Sequence, residues 1–321
     1  MEVLRVLKPG LSTTIQDLGR RGCLELGIPT GGAADAYSHL LANAVLGNEP
    51  SAATLEMMLL GATFEVLRPT TIAVAGADML FHTNGQEVAM GHAAPVREGD
   101  IITFGKAHMG CFGYLAVVGG FEGTIAIGSR STYVPGRLGG HFGRTLKQGD
   151  VLRAFDGGDR GSRGDAPRHL VAWPWQHDVI RFVRGPQAEY FTEAGYATFT
   201  TQPYVVSPRS NRMAYRLEGP VPDIVPIPRT SDTGSGPTDI IEDGNAVGAI
   251  QLAGGTEPIC MGRDCPSTGA YAKIGCVITP DVARMFQMQP GDTFGFQEVG
   301  VSEAVEISRE MSAVIQGFGS W

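Results

Sequence analysis

The chain is predicted to be mainly β, folded as two packed β domains with few helices. Three observations carry this. Gly at 45 and Pro at 20 of 321 residues are high, as many tight turns require. Short apolar runs recur, each bounded by Gly, Pro, Asp or Asn. Turn and motif elements also repeat between the halves. A Gly-Asp turn enters a strand at Gly99-Asp100, Gly149-Asp150 and Gly291-Asp292, and Ser-Arg segments occur at 128–133 and 207–212.

Taken in order, Met1 to Leu7 alternates in polarity, and 63–67, 70–75, 101–104, 112–118, 151–155 and 179–183 are strand-like runs. A helix is expected over 35–46. There Tyr37, Leu40, Leu41, Ala44 and Val45 fall on one stripe, and Asp35 stands at the N-cap. Pro186 to Ala194 reads as a short helix. Thr279-Pro280-Asp281 reads as a helix start, with a hydroxyl cap, Pro at the first position and an acid in the first turn; that helix ends before Pro290. Ser302 to Gln316 is a terminal helix. Residues 156–167, nearly all glycine and charge, form a linker between a domain at 1–155 and a second at 168–321 that carries the candidate site.

Composition narrows function. Hydrophobic residues at 43% and charged residues at 18% support a packed core. A net charge of −8 argues against nucleic acid or an anionic membrane as partner. No apolar run approaches the ~20 residues of a membrane span, and the first residues lack signal-peptide architecture, so a cytoplasmic location is expected. Five cysteines with no CxxC pair fit a reducing compartment rather than a disulfide framework or zinc knuckle. No metal site is expected: HExxH is missing and the seven histidines are scattered. GxxxxGK[ST] and GxSxG are also missing.

Four polar clusters remain. In Gln16–Gly22, Asp17 and Arg20 are spaced to pair and fix a turn, a structural role. Gly31–Asp35 opens the first helix, and capping accounts for Asp35. The third cluster, Ser207–Gly219, holds Arg209, Arg212 and Arg216 within eight residues. As a strand it places Arg212, Ala214 and Arg216 on one face, with Arg209 and Asn211 on the other. Those guanidinium forks suit carboxylate or phosphate, or else a salt-bridged rim with Glu218 and Asp223.

The fourth cluster, Asp264 to Ile274, reads as a polar loop between strands at 258–261 and 274–278. Lys273 is suited to hold an anion or polarise a carbonyl, and Asp264 to orient a base or a ureido N–H. Ser267, Thr268 and the backbone near Gly269 are suited to cradle an oxyanion. The alternative is a turn in which Asp264 pairs with Lys273 or Arg263.

Seven segments together carry a family resemblance: 14–20 (TIQDLGR), 129–133 (SRSTY), 139–144 (GGHFGR), 184–187 (RGPQ), 210–213 (SNRM), 248–251 (GAIQ) and 267–271 (STGAY). The chain resembles the biotin-dependent carboxyltransferase-like family, which includes allophanate hydrolase subunit 2 and the C-type component of 5-oxoprolinase. The resemblance implies a cyclophilin-like β-barrel. It implies a heteromeric, ATP-dependent amidohydrolase or carboxyltransferase acting on a small amide, lactam or urea-like substrate. The implied partner resembles allophanate hydrolase subunit 1 or the B-type component of 5-oxoprolinase, with a LamB-like protein or a biotin carrier as further partners.

No cofactor is expected to be held tightly by this chain. Biotin would arrive on another chain, since no Met-Lys-Met segment occurs, and ATP would be used by the complex. Rival readings are carboxyl transfer from carboxybiotin to a urea-like nitrogen and a non-catalytic module that binds a regulatory partner. A prolyl isomerase is discounted because fold does not carry function. Catalytic roles are expected for Lys273, Asp264, Tyr271 and Arg212, and substrate binding for Arg209, Asn211, Gln251, Ser267, Thr268 and Gly269. The chain departs from the family at Cys265-Pro266, Ala214, Ala270 and Ala272, and its stretch 231–245 is longer and more acidic.

Overall fold

The computed structural model describes residues 1–157, 164–175, 178–225 and 236–318. These form two compact units. The first comprises 1–21, 31–176 and 313–321, and the second 22–30 and 177–312. Residues 168–175, expected with the second domain, belong to the first, and so does the end of the terminal helix. Residues 158–163 of the expected linker lie outside the described residues.

The first unit contains two sheets. One is built from β1 Glu2–Lys8, β4 Thr63–Val66, β6 His82–Thr83, β7 Gln86–Glu87, β9 Ile101–Thr103 and β11 Val151–Arg153, in the order β11-β1-β4-β9-β6-β7. The other is built from β2 Thr13–Gln16, β3 Thr54–Met58, β5 Thr70–Asp78, β8 Ala94–Val96 and β10 Met109–Val117, in the order β2-β3-β10-β5-β8. Strand β10 is central, and every residue after Met109 is buried. Its Gly113 lies opposite Gly76, and an added Cβ would sit 3.1 Å from Met79 Sδ, a close approach that favours glycine. Phe64, Phe104, Leu55, Val74 and Leu115 share one apolar core. Burying each contributes about 1.5–3 kcal/mol.

Helix α1, Ala36–Val45, starts as its sequence dictates: the Asp35 carboxylate accepts from the Ser38 N–H at 2.9 Å. The single apolar stripe understates its burial, since Ser38, His39 and Asn43 are buried as well. His39 Nδ1 lies 2.9 Å from Thr54 Oγ1, a hydrogen-bonded structural histidine. A short α2, Arg168–Ala172, follows.

The second unit is built on a closed seven-stranded barrel. Its strands are β12 Val179–Arg184, β13 Tyr204–Val206, β14 Ala214–Glu218, β16 Ala249–Ala253, β17 Glu257–Met261, β19 Lys273–Val277 and β20 Thr293–Glu298. They follow the order β12-β19-β16-β17-β14-β13-β20 around the barrel. All pairings are antiparallel except the closing one between β12 and β20. Aromatic rings fill the inside. Phe199 stacks on Phe296 at 4.3 Å, and Phe182, Tyr204 and Phe294 pack edge-on to Phe296. The lumen there is therefore a packed core.

Outside the barrel, β15 Asp239–Gly244 and β18 Thr268–Tyr271 form a two-stranded ribbon. Half of the expected polar loop is thus a strand. Polar, small residues conceal it in the sequence, because β18 has no buried face to demand alternation. The 186–194 helix is also corrected: a 3₁₀ turn occupies Ala188–Tyr190, and α3 spans Glu193–Thr201. Thr192 caps α3 by accepting from the Gly195 N–H at 2.9 Å.

Helix α4, Thr279–Phe286, has Ile278 at its N-cap and no side-chain cap. Asp281 turns instead to β12, accepting from Arg181 N at 2.8 Å, Nε at 2.9 Å and Nη2 at 2.6 Å. Helix α5, Val301–Gln316, matches its expected span. No helix among the described residues is long and apolar enough to cross a membrane.

Candidate functional site

In the barrel wall, Ile250, Cys260 and Tyr215 lie side by side across β16, β17 and β14 and point inward at no more than 2% exposure. Their neighbours Gln251, Ile259 and Arg216 therefore point outward, and Lys273 stands opposite Gln251 on β19. This outer row carries the predicted chemistry, and the ribbon covers one end of it.

Lys273 is only 3% exposed. Its Nζ donates to Asp243 Oδ2 at 2.9 Å, and Gln187 Nε2 donates to the same oxygen at 3.0 Å. Gln187 Oε1 in turn accepts from the Lys273 backbone N–H at 3.2 Å. The Lys273 hydrogen bond, then that of Gln187, holds the Asp243 carboxyl below the usual carboxylate range. Beside this pair, Gln251 Nε2 donates to Asn245 Oδ1 at 2.6 Å, and Asn245 Nδ2 donates to the Pro266 carbonyl at 3.2 Å. Gly269 closes over them: a Cβ there would sit 2.6 Å from Gln251 Nε2 and 2.8 Å from Asn245 Nδ2. Thr268 Oγ1 is engaged with Glu242 on the facing strand. Ser267 enters through its carbonyl, which accepts from Asn245 N at 2.8 Å, while Tyr271 is 37% exposed at the ribbon edge.

Arg212 and Asp264 form a second group. Arg212 Nε and Nη2 donate to the two Asp264 oxygens at 2.9 and 3.0 Å, a bidentate pair that ties the approach to β14 to the turn after β17. Sequence proximity suggested Lys273 or Arg263 for Asp264. Strand pairing sets Ala214 opposite Met261 instead, and so brings the two turns together. Arg209 and Arg216 both reach Glu257, at 2.7 and 2.6 Å, rather than Glu218 or Asp223. Asp223 instead accepts from Thr192 Oγ1 at 2.9 Å. Asn211 Oδ1 accepts from Met213 N at 2.8 Å and shapes the turn into β14. Burial pushes the Cys265 thiol up to about 11, which leaves it a poor nucleophile.

The structure thus gathers Lys273, Gln251, Gly269, Ser267 and Thr268 around the ribbon. It gathers Arg212 with Asp264, and Arg209 with Arg216, around separate acids. Sequence reasoning missed Asp243, Asn245 and Gln187. Their signals were the acid-rich 239–243 run and the RGPQ segment, neither of which names a partner. An apolar cleft of about 400 Å³ beneath α5, lined by Val183, Cys276, Ile278, Ala304 and Val305, contains none of the predicted residues. Among the described residues no three His, Cys, Asp or Glu side chains are grouped to hold a metal ion.

The motif segments of the first unit also converge. Asp17 accepts from Gly19 N, Ser129 Oγ and Arg130 N at 2.8, 2.6 and 2.6 Å. Ser131 Oγ donates to Gln16 Oε1 and accepts from Gly32 N, both at 2.6 Å. The expected Asp17–Arg20 pair is not formed. Arg20 instead donates from Nη2 to the Ser131 carbonyl.

A family model described as carboxyltransferase domain, subdomain A and B, matches residues 26–298. The chain is 30% identical over 308 residues to the C-type component of 5-oxoprolinase from Escherichia coli, spanning 96% of this chain and 95% of that protein. It is 30% identical over 330 residues to urea amidolyase of Lachancea kluyveri, covering 97% of this chain but only 18% of that much longer protein. The crystal structure of Kluyveromyces lactis urea carboxylase superposes with a TM-score of 0.92 at 31% identity, over 98% of this chain and 29% of that one. With both units and the motif segments accounted for, the chain belongs to the carboxyltransferase domain family, subdomains A and B.

Proposed function

We propose that this chain is the component of a heteromeric, ATP-dependent complex that corresponds to the C-type component of 5-oxoprolinase. The complex acts on a small amide, lactam or urea-like substrate. The observation that supports this most is the outer-face cluster of one buried cation, Lys273, opposite one buried amide, Gln251. A carbonyl with an adjacent N–H presents an acceptor and a donor side by side. Lys273 supplies the charge for the oxygen, and the Gln251–Asn245 amides supply matching groups for the N–H. Asp243 and Gln187 hold the ammonium in place, and Tyr271 at the exposed ribbon edge packs on the substrate. Arg212 and Asp264, paired to each other, position the 262–268 turn on which Ser267 and Thr268 stand. Arg209, more open to solvent, is placed to meet a carboxyl group.

ATP chemistry belongs to a partner in this reading. That partner is similar to the B-type component of 5-oxoprolinase or to allophanate hydrolase subunit 1, and a LamB-like protein completes a lactam-opening complex. The second reading, carboxyl transfer from biotin carried on another chain to a urea-like nitrogen, is supported by the 0.92 TM-score with a urea carboxylase. The same amide cluster suits a ureido group. Reconstitution with the partner proteins, followed by assays on 5-oxoproline and on urea, each with ATP and with or without avidin, separates the two. ATP-dependent, avidin-insensitive turnover of 5-oxoproline fits the first; avidin-sensitive turnover of urea fits the second. A complex that turns over neither, yet binds a regulatory protein tightly, would remove the enzymatic reading.

A further inference from the structure

Among the described residues Phe142 is the most exposed large apolar side chain, at 73%, and its backbone stands in the left-handed region at φ 56°. A bulky residue held there is strained. Its neighbours Gly139, Gly140 and Gly143 are left-handed too, so a glycine at 142 would keep the turn, relieve the strain and remove apolar surface from water. The ring is nevertheless held in place. His141 packs against its edge at 4.6 Å, and the Arg144 guanidinium lies 5.9 Å from its centroid. Arg144 is itself fixed by two hydrogen bonds to Asp150. An aromatic ring that is strained, fixed and left in water is arranged for contact with something outside the fold.

Phe142 lines an open cavity of about 410 Å³ in the first unit, together with Thr124, His141, Arg153 and Phe155. That volume lies within the range of small-molecule sites, about 300–1,000 Å³. Phe155 is a second exposed ring, at 42%, and the Arg130 guanidinium lies 4.9 Å from its centroid. Arg153 gives only its Nε, to Glu122 at 3.1 Å; among the described residues its two terminal nitrogens have no hydrogen-bond partner. The surroundings are basic. Residues 121–155 carry Arg130, Arg137, Arg144, Lys147 and Arg153 against Glu122 and Asp150, in a chain whose net charge is −8. Two accessible rings and one half-used guanidinium fork therefore meet at a cavity in a locally positive part of an acidic protein.

We propose that this cavity binds a flat aromatic carboxylate, with its ring against Phe142 and Phe155 and its carboxylate on the terminal nitrogens of Arg153. Ring-on-ring contact rewards a planar π system over a saturated one of equal size. The guanidinium fork rewards a carboxylate over a neutral amide. The site stands in the first unit and does not depend on the role given to Lys273.

The test uses the whole chain with benzoate as probe, benzamide as the neutral planar control and cyclohexanecarboxylate as the charged, non-planar one. Isothermal titration calorimetry at constant ionic strength compares wild type, Arg153→Gln and Phe142→Asn, and wild-type crystals are soaked in benzoate. Asn is chosen at 142 because it adopts the left-handed region readily. Wild type is expected to bind benzoate saturably and each control about tenfold more weakly. Arg153→Gln is expected to weaken benzoate about tenfold and leave benzamide unchanged. Phe142→Asn is expected to weaken benzoate about tenfold with Tm unchanged, since the ring it removes is mostly exposed. The soaked crystal is expected to show the benzoate ring against Phe142 and its carboxylate on Arg153. No saturable binding, equal binding of the three compounds, wild-type affinity in either variant, or benzoate density elsewhere overturns the proposal. If Phe142→Asn does not fold, Arg153→Gln and the soaked crystal decide.

Discussion

Gln251 lies directly opposite Lys273 where β16 pairs with β19, so a buried amide and a buried ammonium share one row on the outer face of the barrel. The ribbon strand β18 covers the amide through Gly269, and β15 supplies Asp243 to the ammonium. The pair is thus shielded from water, and a cation in such a low-dielectric setting interacts strongly with nearby charge.

Lys273→Met removes that charge while keeping an unbranched side chain. In the reconstituted complex kcat/KM is expected to fall by about 100-fold or more, in the range seen on removing a preorganised donor. Steady-state kinetics with the preferred substrate checks it; unchanged turnover would dismiss Lys273 from the mechanism.

Gly269→Ala places a methyl group 2.6 Å from Gln251 Nε2. The amides must shift, so KM is expected to rise while the global unfolding midpoint changes little, because the two-stranded ribbon lies outside the barrel. A variant with wild-type KM would show that the Gln251–Asn245 geometry is irrelevant to binding.

The Arg212–Asp264 pair is largely buried, with side chains 13% and 8% exposed. Asp264→Asn withdraws one charge from this bidentate pair and is expected to lower stability by about 3 kcal/mol. Urea denaturation of Asp264→Asn, Arg212→Met and the double variant measures the coupling. A coupling energy near zero would contradict a positioning role for the pair.

Acid titration offers a test in the first unit. The Arg144 hydrogen bonds, at 2.7 and 2.8 Å, are the main cause that holds the Asp150 carboxyl at about 2. Since its folded value is depressed below the usual ~3.9, its stabilisation is complete above that unfolded value and is lost as pH falls through the folded one. The stability gap between wild type and Asp150→Asn is therefore expected to be constant above about pH 5 and to shrink steeply between about pH 4 and 2. Stepped-pH urea melts check this; a gap undiminished at about pH 2 would refute it.

Much of the framework was legible because local patterns carried it. Asp35 announced α1, and Ser302–Gln316 matched α5 to within a residue. The strand-like runs of the first unit became β4, β5, β9 and β10, most of whose apolar residues are buried whichever strand they pair with. The barrel strands were harder to read. In β14 Arg216 stands between Tyr215 and Leu217, an alternation visible only once the strand is assumed. In β18 Thr268, Ala270 and Tyr271 are exposed, so no buried face marked it.

The sequence alone determined the β class, the N-cap of α1, the motif segments and the residue types gathered at the site. Tertiary structure decided which charges pair. Asp264 is next to Arg263 in sequence and bonds Arg212, 52 residues away; Lys273 bonds Asp243, 30 residues back. Partner choice follows strand register and ribbon placement, which set positions to within ångströms, whereas composition and spacing fix only which residues stand on a common face.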